Sequence, residues 1–242
     1  MKVLIVEDDP LHRSFLKDIV ISALPECETV IEAEDGLQGE ALHREHRPEN
    51  VVMDLQMHHR NGIEAARTIW QERPQTNILF WSNYSDEAYV RGVGRIVPPG
   101  AAYGYVLKSA SEERLKVALK GVFIENQCVV DREVHGLQHR GATSGNGLSD
   151  SEYEVLMDVA LGLTDRAIAK RRNLSPRTVQ NRLQQIFDKL DVCGEQRSGS
   201  EHAVHFNTRA RVGVVALRMK LINHNALELA EAELQRWLKE DQ

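Results

Sequence analysis

Val3-Leu4-Ile5-Val6-Glu7-Asp8-Asp9-Pro10 places four apolar residues directly before three acids and a proline. A short β-branched apolar run bounded by polar residues reads as a buried strand. Asp9 then caps a helix that Pro10 opens, because Asp accepts the first free amides and proline fits the first helical position. Leu11, Phe15, Ile19 and Ala23 recur at helical spacing, to about Leu24. The pattern of apolar run, polar residue and helix returns along the chain. Val51-Val52-Met53 precedes Asp54, Ile78-Leu79-Phe80-Trp81 precedes Ser82, and Tyr105-Val106-Leu107 precedes Lys108. Another strand near 29–33 leads into a helix from about Leu37 to His46. Asn61-Gly62 precedes a helix to Glu72, Asp86 starts a fourth, and Ser111 or Glu112 a fifth, to about Glu125. Alternating strands and helices predict an α/β fold, a doubly wound five-stranded parallel sheet.

In an open parallel sheet, functional groups gather at the carboxyl ends of the strands. Glu7, Asp8 and Asp54 would bring three carboxylates there, Ser82 a hydroxyl and Lys108 an ammonium. Clustered carboxylates repel one another and attract a divalent cation, and Mg²⁺ prefers such oxygen donors. The metal and Lys108 would neutralise oxygens that grow more anionic during phosphoryl transfer.

The chain has 242 residues, enough for two modest domains, and 42% of them are hydrophobic. A mean hydropathy of −0.40 fits a soluble protein. The sequence carries no apolar run of membrane-spanning length, and its start turns acidic too early for a secretory signal. Cys27, Cys128 and Cys193 are few and far apart, so they read as reduced thiols in a cytoplasmic protein. Residues 1–125 carry 14 basic against 20 acidic side chains, while residues 126–242 carry 16 of each. Within 166–189, seven basic residues face Asp188 alone, a local charge of +6. An acidic first half and a basic stripe in the second point to different partners.

The first half, to about residue 125, resembles the receiver domain of two-component response regulators. The likeness is carried by Val3-Leu4-Ile5-Val6-Glu7-Asp8-Asp9, Asp54-Leu55-Gln56-Met57 with Asn61-Gly62, then Ser82, then Gly104-Tyr105-Val106-Leu107-Lys108. The resemblance implies that Asp54 is the phosphoacceptor. It makes Glu7, Asp8, Asp54 and the Gln56 carbonyl the Mg²⁺ ligands, Lys108 the counter-charge to the phosphoryl oxygens, and Ser82 with Tyr105 the switch pair. Three features depart from the pattern. His58-His59 replaces a usual proline after Met57, which should loosen that loop. Two adjacent histidines diverge, so they read as a solvated loop more readily than as a metal pair. The stretch 92–100, with Pro98-Pro99, lengthens the segment between Ser82 and Lys108, predicting a short fourth helix and then a loop. Gln56 and Tyr84 stand where receivers tune dephosphorylation.

The stretch 126–147 loses periodicity and ends Gly-rich, as a flexible linker would. Ser149-Asp150-Ser151-Glu152 is a capping signal, followed by the apolar residues Tyr153, Leu156, Val159 and Ala160. Asp165 to Arg172 reads as a short helix with Ala167 and Ile168 inward, and Asn173-Leu174-Ser175 as a turn. Pro176 opens a longer helix bearing Val179, Leu183, Ile186, Phe187 and Leu190. Two helices around a tight turn, the second rich in Arg, Gln and Asn, fit a helix-turn-helix. Residues 148–192 resemble the NarL/LuxR-type DNA-binding domain, through Leu148-Ser149, Gly162-Leu163-Thr164, Leu174-Ser175-Pro176-Arg177-Thr178-Val179 and Lys189-Leu190-Asp191-Val192. The resemblance sets Gln180, Asn181 and Gln184 toward bases and Arg172, Arg177, Thr178 and Arg182 toward phosphates. Gln180 and Arg182 differ from the family's usual Lys and His, so its operator cannot be carried over.

The all-α second domain is thus expected over 148–222. It holds an inserted loop at about 193–206, read as polar surface although Cys193, His202 and His205 would allow a metal. The pattern resumes at Asn207 through Val214, Val215, Leu217 and Leu221. Residues 223–242, with Leu227, Ala230, Leu234, Trp237 and Leu238, predict a C-terminal amphipathic helix that either pads this domain or serves dimerisation. The whole reads as a transcription regulator, not an enzyme. A partner histidine kinase would phosphorylate it with Mg²⁺ present, and it would bind double-stranded DNA as a homodimer. A phosphorylation-independent regulator, with the receiver as a dimerisation scaffold, is the alternative. An aspartyl-phosphate phosphatase needs an acid/base carboxylate two residues after the nucleophile, where Gln56 stands.

Overall fold

The computed structural model describes residues 1–84, 86–131, 147–192 and 207–240. The insertion 193–206, with Cys193, His202 and His205, lies outside the described residues, as does most of the segment 126–147. The chain divides into two compact units, the boundary falling near residue 135.

The first unit is built on strands β1 (Lys2–Val6), β2 (Thr29–Ala33), β3 (Asn50–Met53), β4 (Asn77–Ser82), β5 (Tyr103–Leu107) and β6 (Val129–Val130). All pair in parallel, in the order β2-β1-β3-β4-β5-β6. The sixth strand extends the five expected and lies within the stretch read as linker. Helices α1 (Pro10–Ala23), α2 (Gly36–His46), α3 (Gly62–Glu72), α4 (Glu87–Ile96) and α5 (Glu112–Phe123) connect them. The side chains of Asp9, Asp35, Asn61 and Ser111 each accept an amide at a helix start. Successive strand residues point to opposite faces. Val3, Ile5, Val52, Leu79, Trp81 and Val106 accordingly pack in one buried cluster with α1 and α5.

Two details differ from expectation. The buried stripe of α1 is Leu16, Ile19, Val20 and Ala23, whereas Leu11 is 79% exposed and Phe15 39% exposed. Ile19 and Ala23 of the spacing read from the sequence are thus buried, joined by Leu16 and Val20. Helix α4 runs on through Gly92 and Gly94 to Ile96 and stops two residues before Pro98. The loop is therefore shorter than the stretch 92–100, since glycine lowers helix stability without forbidding it, while Pro98-Pro99 cannot continue the helix.

The second unit holds α6 (Asp150–Ala160), α7 (Asp165–Arg171), α8 (Pro176–Lys189), α9 (Thr208–Arg218) and α10 (His224–Glu240). Ser149 and Glu152 form a reciprocal capping box on α6. Leu148, Tyr153, Leu156, Val159, Ile168, Val179, Leu183, Ile186 and Leu190 share one buried core with Val212, Val215, Ala216 and Leu221. Of the residues through which the pattern resumes, Val215 and Leu221 are buried, whereas Val214 and Leu217 are 65% and 47% exposed, Val212 and Ala216 occupying the inner face of α9. Ala226, Leu227 and Ala230 of α10 pack against this core and Leu234 is buried, so the last helix pads the unit. Among the described residues no helix is long and apolar enough to cross a membrane.

Candidate functional site

The order β2-β1-β3 makes β1 and β3 neighbours whose connections leave in opposite directions, which opens a crevice at their carboxyl ends. Glu7 follows β1 and Asp54 follows β3, with Asp8 beside them. Each of the three offers an oxygen within 4.8 Å of the others. Glu7 is fully buried and Asp54 is 6% exposed. Burial, and next the charge of Glu7, push the Asp54 carboxyl up to about 6, against the pull of Lys108. The same oxygen set meets the preference of a hard divalent cation for carboxylates, so these residues fit Mg²⁺.

Lys108 leaves β5 toward this crevice. Its Nζ donates to Glu7 Oε1 at 3.0 Å and Oε2 at 2.8 Å, and to Asp54 Oδ2 at 3.2 Å. The other Asp54 oxygen accepts from the Leu55 N–H at 2.7 Å. Two residues that sequence reasoning missed complete the lysine's surroundings. His12 Nδ1 lies 3.3 Å from Nζ, and the Trp81 ring lies beneath it at 4.9 Å. The signals were present, since His12 sits one turn into the helix that Asp9 caps and Trp81 immediately precedes Ser82.

Ser82 ends β4 and is fully buried, its Oγ accepting from the Tyr84 N–H at 3.2 Å. Tyr105 stands inward at 1% exposure, its hydroxyl donating to the Tyr84 carbonyl at 2.6 Å. Ser82 and Tyr105 therefore meet on the same neighbour. The Gln56 side chain is exposed. His58 is exposed, with Nε2 3.9 Å from Asp8 Oδ2, and His59 takes a left-handed φ of 61°. The loop expected to be loose is tied at its far end. Arg60 Nε donates to the buried Glu40 at 2.9 Å and its Nη2 to Thr68 at 3.1 Å.

In the second unit, Ser175 caps α8 and Pro176 opens it. Val179, Leu183 and Ile186 face the core, leaving Arg177, Gln180, Asn181 and Gln184 exposed on the other side, with Thr178 and Arg182 half-buried. Gln184 donates to Asp188 at 3.2 Å. Arg172 differs from expectation. It donates to both oxygens of the fully buried Asp158, at 2.7 and 3.0 Å, and Arg171 donates to the same carboxylate at 2.6 Å. Lys189 is likewise bonded inward, to Glu152 at 2.8 Å. Arg171, Arg172 and Lys189 of the stripe thus bond within the unit.

Residues 3–120 match the family described as response regulator receiver domain, and residues 146–198 that described as bacterial regulatory proteins, luxR family. The chain is 31% identical to the oxygen regulatory protein NreC of Staphylococcus haemolyticus, over 79% of this chain and 92% of that protein. It is 32% identical to the DNA-binding transcriptional activator DevR/DosR of Mycobacterium tuberculosis, over 79% of this chain and 89% of that one. A solved two-component response regulator of the LuxR family from an Aurantimonas species superposes with a TM-score of 0.51 at 27% identity. That match covers 57% of this chain and 95% of the other.

Proposed function

The chain belongs to the two-component response regulators that join a receiver domain to a LuxR-type helix-turn-helix domain, and from that premise we propose that it is a transcription regulator switched by phosphorylation of Asp54. The observation that carries the reading is Lys108 Nζ, within hydrogen-bonding distance of both Glu7 and Asp54 inside a cluster of three carboxylates. Glu7, Asp8, Asp54 and the Gln56 carbonyl would hold Mg²⁺, which supplies neutralisation of the phosphoryl oxygens when bound.

The partner is a histidine kinase. A carboxylate oxygen of Asp54 attacks the phosphorus of its phosphohistidine. The P–N bond breaks with its electron pair leaving on the imidazole, and Asp54 carries the group as an acyl phosphate. Lys108 steadies the charge on the transferring oxygens. Ser82 turns its hydroxyl to a new phosphoryl oxygen, giving up the Tyr84 N–H, and Tyr105 keeps the inner position beside it. In the second unit Gln180, Asn181 and Gln184 read base edges, while Arg177, Thr178 and Arg182 meet phosphates. Phosphorylation acts by raising the population of a DNA-binding homodimer.

A second reading has its own observation. Tyr105 stands inward with its hydroxyl bonded to Tyr84, and a receiver resting in that arrangement would bind DNA without phosphorylation. Selection from a random duplex library separates the two, run with and without Mg²⁺ and beryllofluoride, a phosphoryl mimic, on the wild type and Asp54→Asn. Binding sharpened by the mimic only when Asp54 is intact supports the switch and yields the operator. Equal selection in every arm leaves the receiver as a scaffold. No selection in any arm would overturn DNA binding.

A further inference from the structure

Asp131 follows the sixth strand and is 8% exposed. It grips the end of β5 with backbone and side chain together. Its N–H donates to the Tyr105 carbonyl at 2.9 Å, and its Oδ2 accepts from the Leu107 N–H at 2.9 Å. Its other oxygen accepts from Arg114 Nε on α5, also at 2.9 Å. On the opposite edge of β5, the Lys108 N–H donates to the Ser82 carbonyl at 2.8 Å. The strand end that carries Lys108 is therefore held on one side by a switch residue and on the other by Asp131. Room for this sixth strand is built into the sequence. A Cβ on Gly104 would lie 3.2 Å from the Val129 carbonyl oxygen and 2.3 Å from Leu79 Cδ1, and one on Gly121 would lie 2.9 Å from Val129 Cγ2.

We propose that Asp131 is a positioning residue for phosphoryl acceptance and for its read-out: it sets the place of Lys108 and passes a shift of that lysine to the chain that leads on to the second unit. The inference rests on the phosphorylation reading above. A carboxylate–amide bond is short and directional, and Leu107 is buried, so its N–H has no water to turn to if β5 moves. Drawing Lys108 from Glu7 toward a phosphoryl group on Asp54 pulls on the Leu107 peptide and so on Asp131. Arg114 holds the second carboxylate oxygen and keeps that group from rotating to absorb the shift. Asp131 and the end of β5 then shift together.

The test compares DNA affinity of the full chain with and without Mg²⁺ and beryllofluoride, for wild type, Asp131→Ala and Asp131→Asn. The asparagine keeps an oxygen for the Leu107 N–H. Expected is a loss of about 5-fold or more in the stimulation by the mimic for Asp131→Ala, with unstimulated binding unchanged and most of the stimulation restored by Asp131→Asn. Hydrogen exchange of the wild type, with and without the mimic, gives a readout that needs no variant to fold. The amides of Leu107 and of residues 129–131 should change protection together. Unchanged exchange there, or full stimulation in Asp131→Ala with only a lowered melting temperature, overturns the inference alone. Absence of any stimulation in the wild type overturns the phosphorylation reading, and this one with it.

Discussion

Lys108 binds Glu7 through both carboxylate oxygens, at 3.0 and 2.8 Å, but reaches Asp54 through only one, at 3.2 Å. Glu7 is thus the lysine's main partner, although the resemblance assigns the lysine to the phosphoryl group on Asp54. A cation held by Glu7, Asp8 and Asp54 would take up charge that Lys108 now balances, leaving the lysine to serve the phosphoryl oxygens. Lys108→Met should slow transfer to Asp54 from a small phosphoryl donor by about 100-fold or more, in line with loss of a single charge-stabilising donor. Mass spectrometry of the acyl phosphate over time checks it. An unchanged rate would remove Lys108 from the chemistry.

Two buried groups give metal-free stability opposing slopes with pH. Asp54 is raised to about 6, so the folded state holds its proton more tightly than the unfolded state. The stability this gives is present at low pH and lost as pH rises through about 6. His43 is lowered to about 4 by burial, with Nε2 3.2 Å from Thr76 Oγ1. The unfolded state therefore binds its proton more readily, and stability falls as pH drops from about 6.5 toward 4. Each contribution is roughly 3 kcal/mol at most, at about 1.4 kcal/mol per pH unit. Asp54→Asn in metal-free buffer should leave the His43 slope uncovered, so that stability climbs from pH 4 to 6.5. Urea unfolding at intervals across that range measures it, and an equally flat profile in both proteins would contradict the assignment.

The strand ends, caps and paired helices were legible because each rests on local chemistry: an apolar run, then a side chain that accepts amides or carries charge. Glu7, Asp54, Ser82 and Lys108 are local in this sense, each following its own strand. Arg172 and Asp131 were not legible, because their roles depend on partners far along the chain. Arg172 reads as one more positive charge in a basic stripe until Asp158, two residues from the end of α6, is seen to be fully buried beside it. Asp131 sits among residues that look like linker, and only the pairing of Val129–Val130 with β5 brings its carboxylate to Leu107.

Arg172 and Arg177 should consequently separate in a salt titration. Arg177→Ala is expected to weaken DNA binding across sequences and to reduce the log–log salt slope by about 1. Arg172→Ala should leave that slope unchanged and lower the stability of the second unit by about 1–3 kcal/mol, because buried Asp158 Oδ2 loses its donor while Oδ1 keeps Arg171. Chemical unfolding with binding at several salt concentrations measures both. A reduced slope for Arg172→Ala would return it to the phosphate-facing group.

Gln180 and Asn181 lie exposed on the outward face of α8, where substitution costs the fold little. Asn181→Ala should lose about 1–3 kcal/mol of discrimination at one base position while leaving binding to random duplex unaltered. Selection profiles of the variant and wild type on the same library measure this. A uniform weakening across all sequences would instead make Asn181 a backbone contact.

Gly62 tests whether the loop after β3 sets the place of Asp54. Its N–H donates to the Leu55 carbonyl at 2.9 Å, and a Cβ there would lie 1.9 Å from the Asp54 carbonyl oxygen. No side chain fits without moving the Asp54 peptide, whereas a Cβ on Gly94, in α4, meets nothing within 4 Å. Gly62→Ala should cost about 1–3 kcal/mol by overpacking and abolish phosphoryl acceptance in the protein that remains folded. Gly94→Ala should be stabilising by about 0.4–1 kcal/mol with acceptance intact. Unfolding free energies and acyl-phosphate yield, measured on both variants, decide it. Normal acceptance by Gly62→Ala would mean that the backbone of Asp54 tolerates displacement, and that the carboxylate cluster alone sets the geometry of transfer.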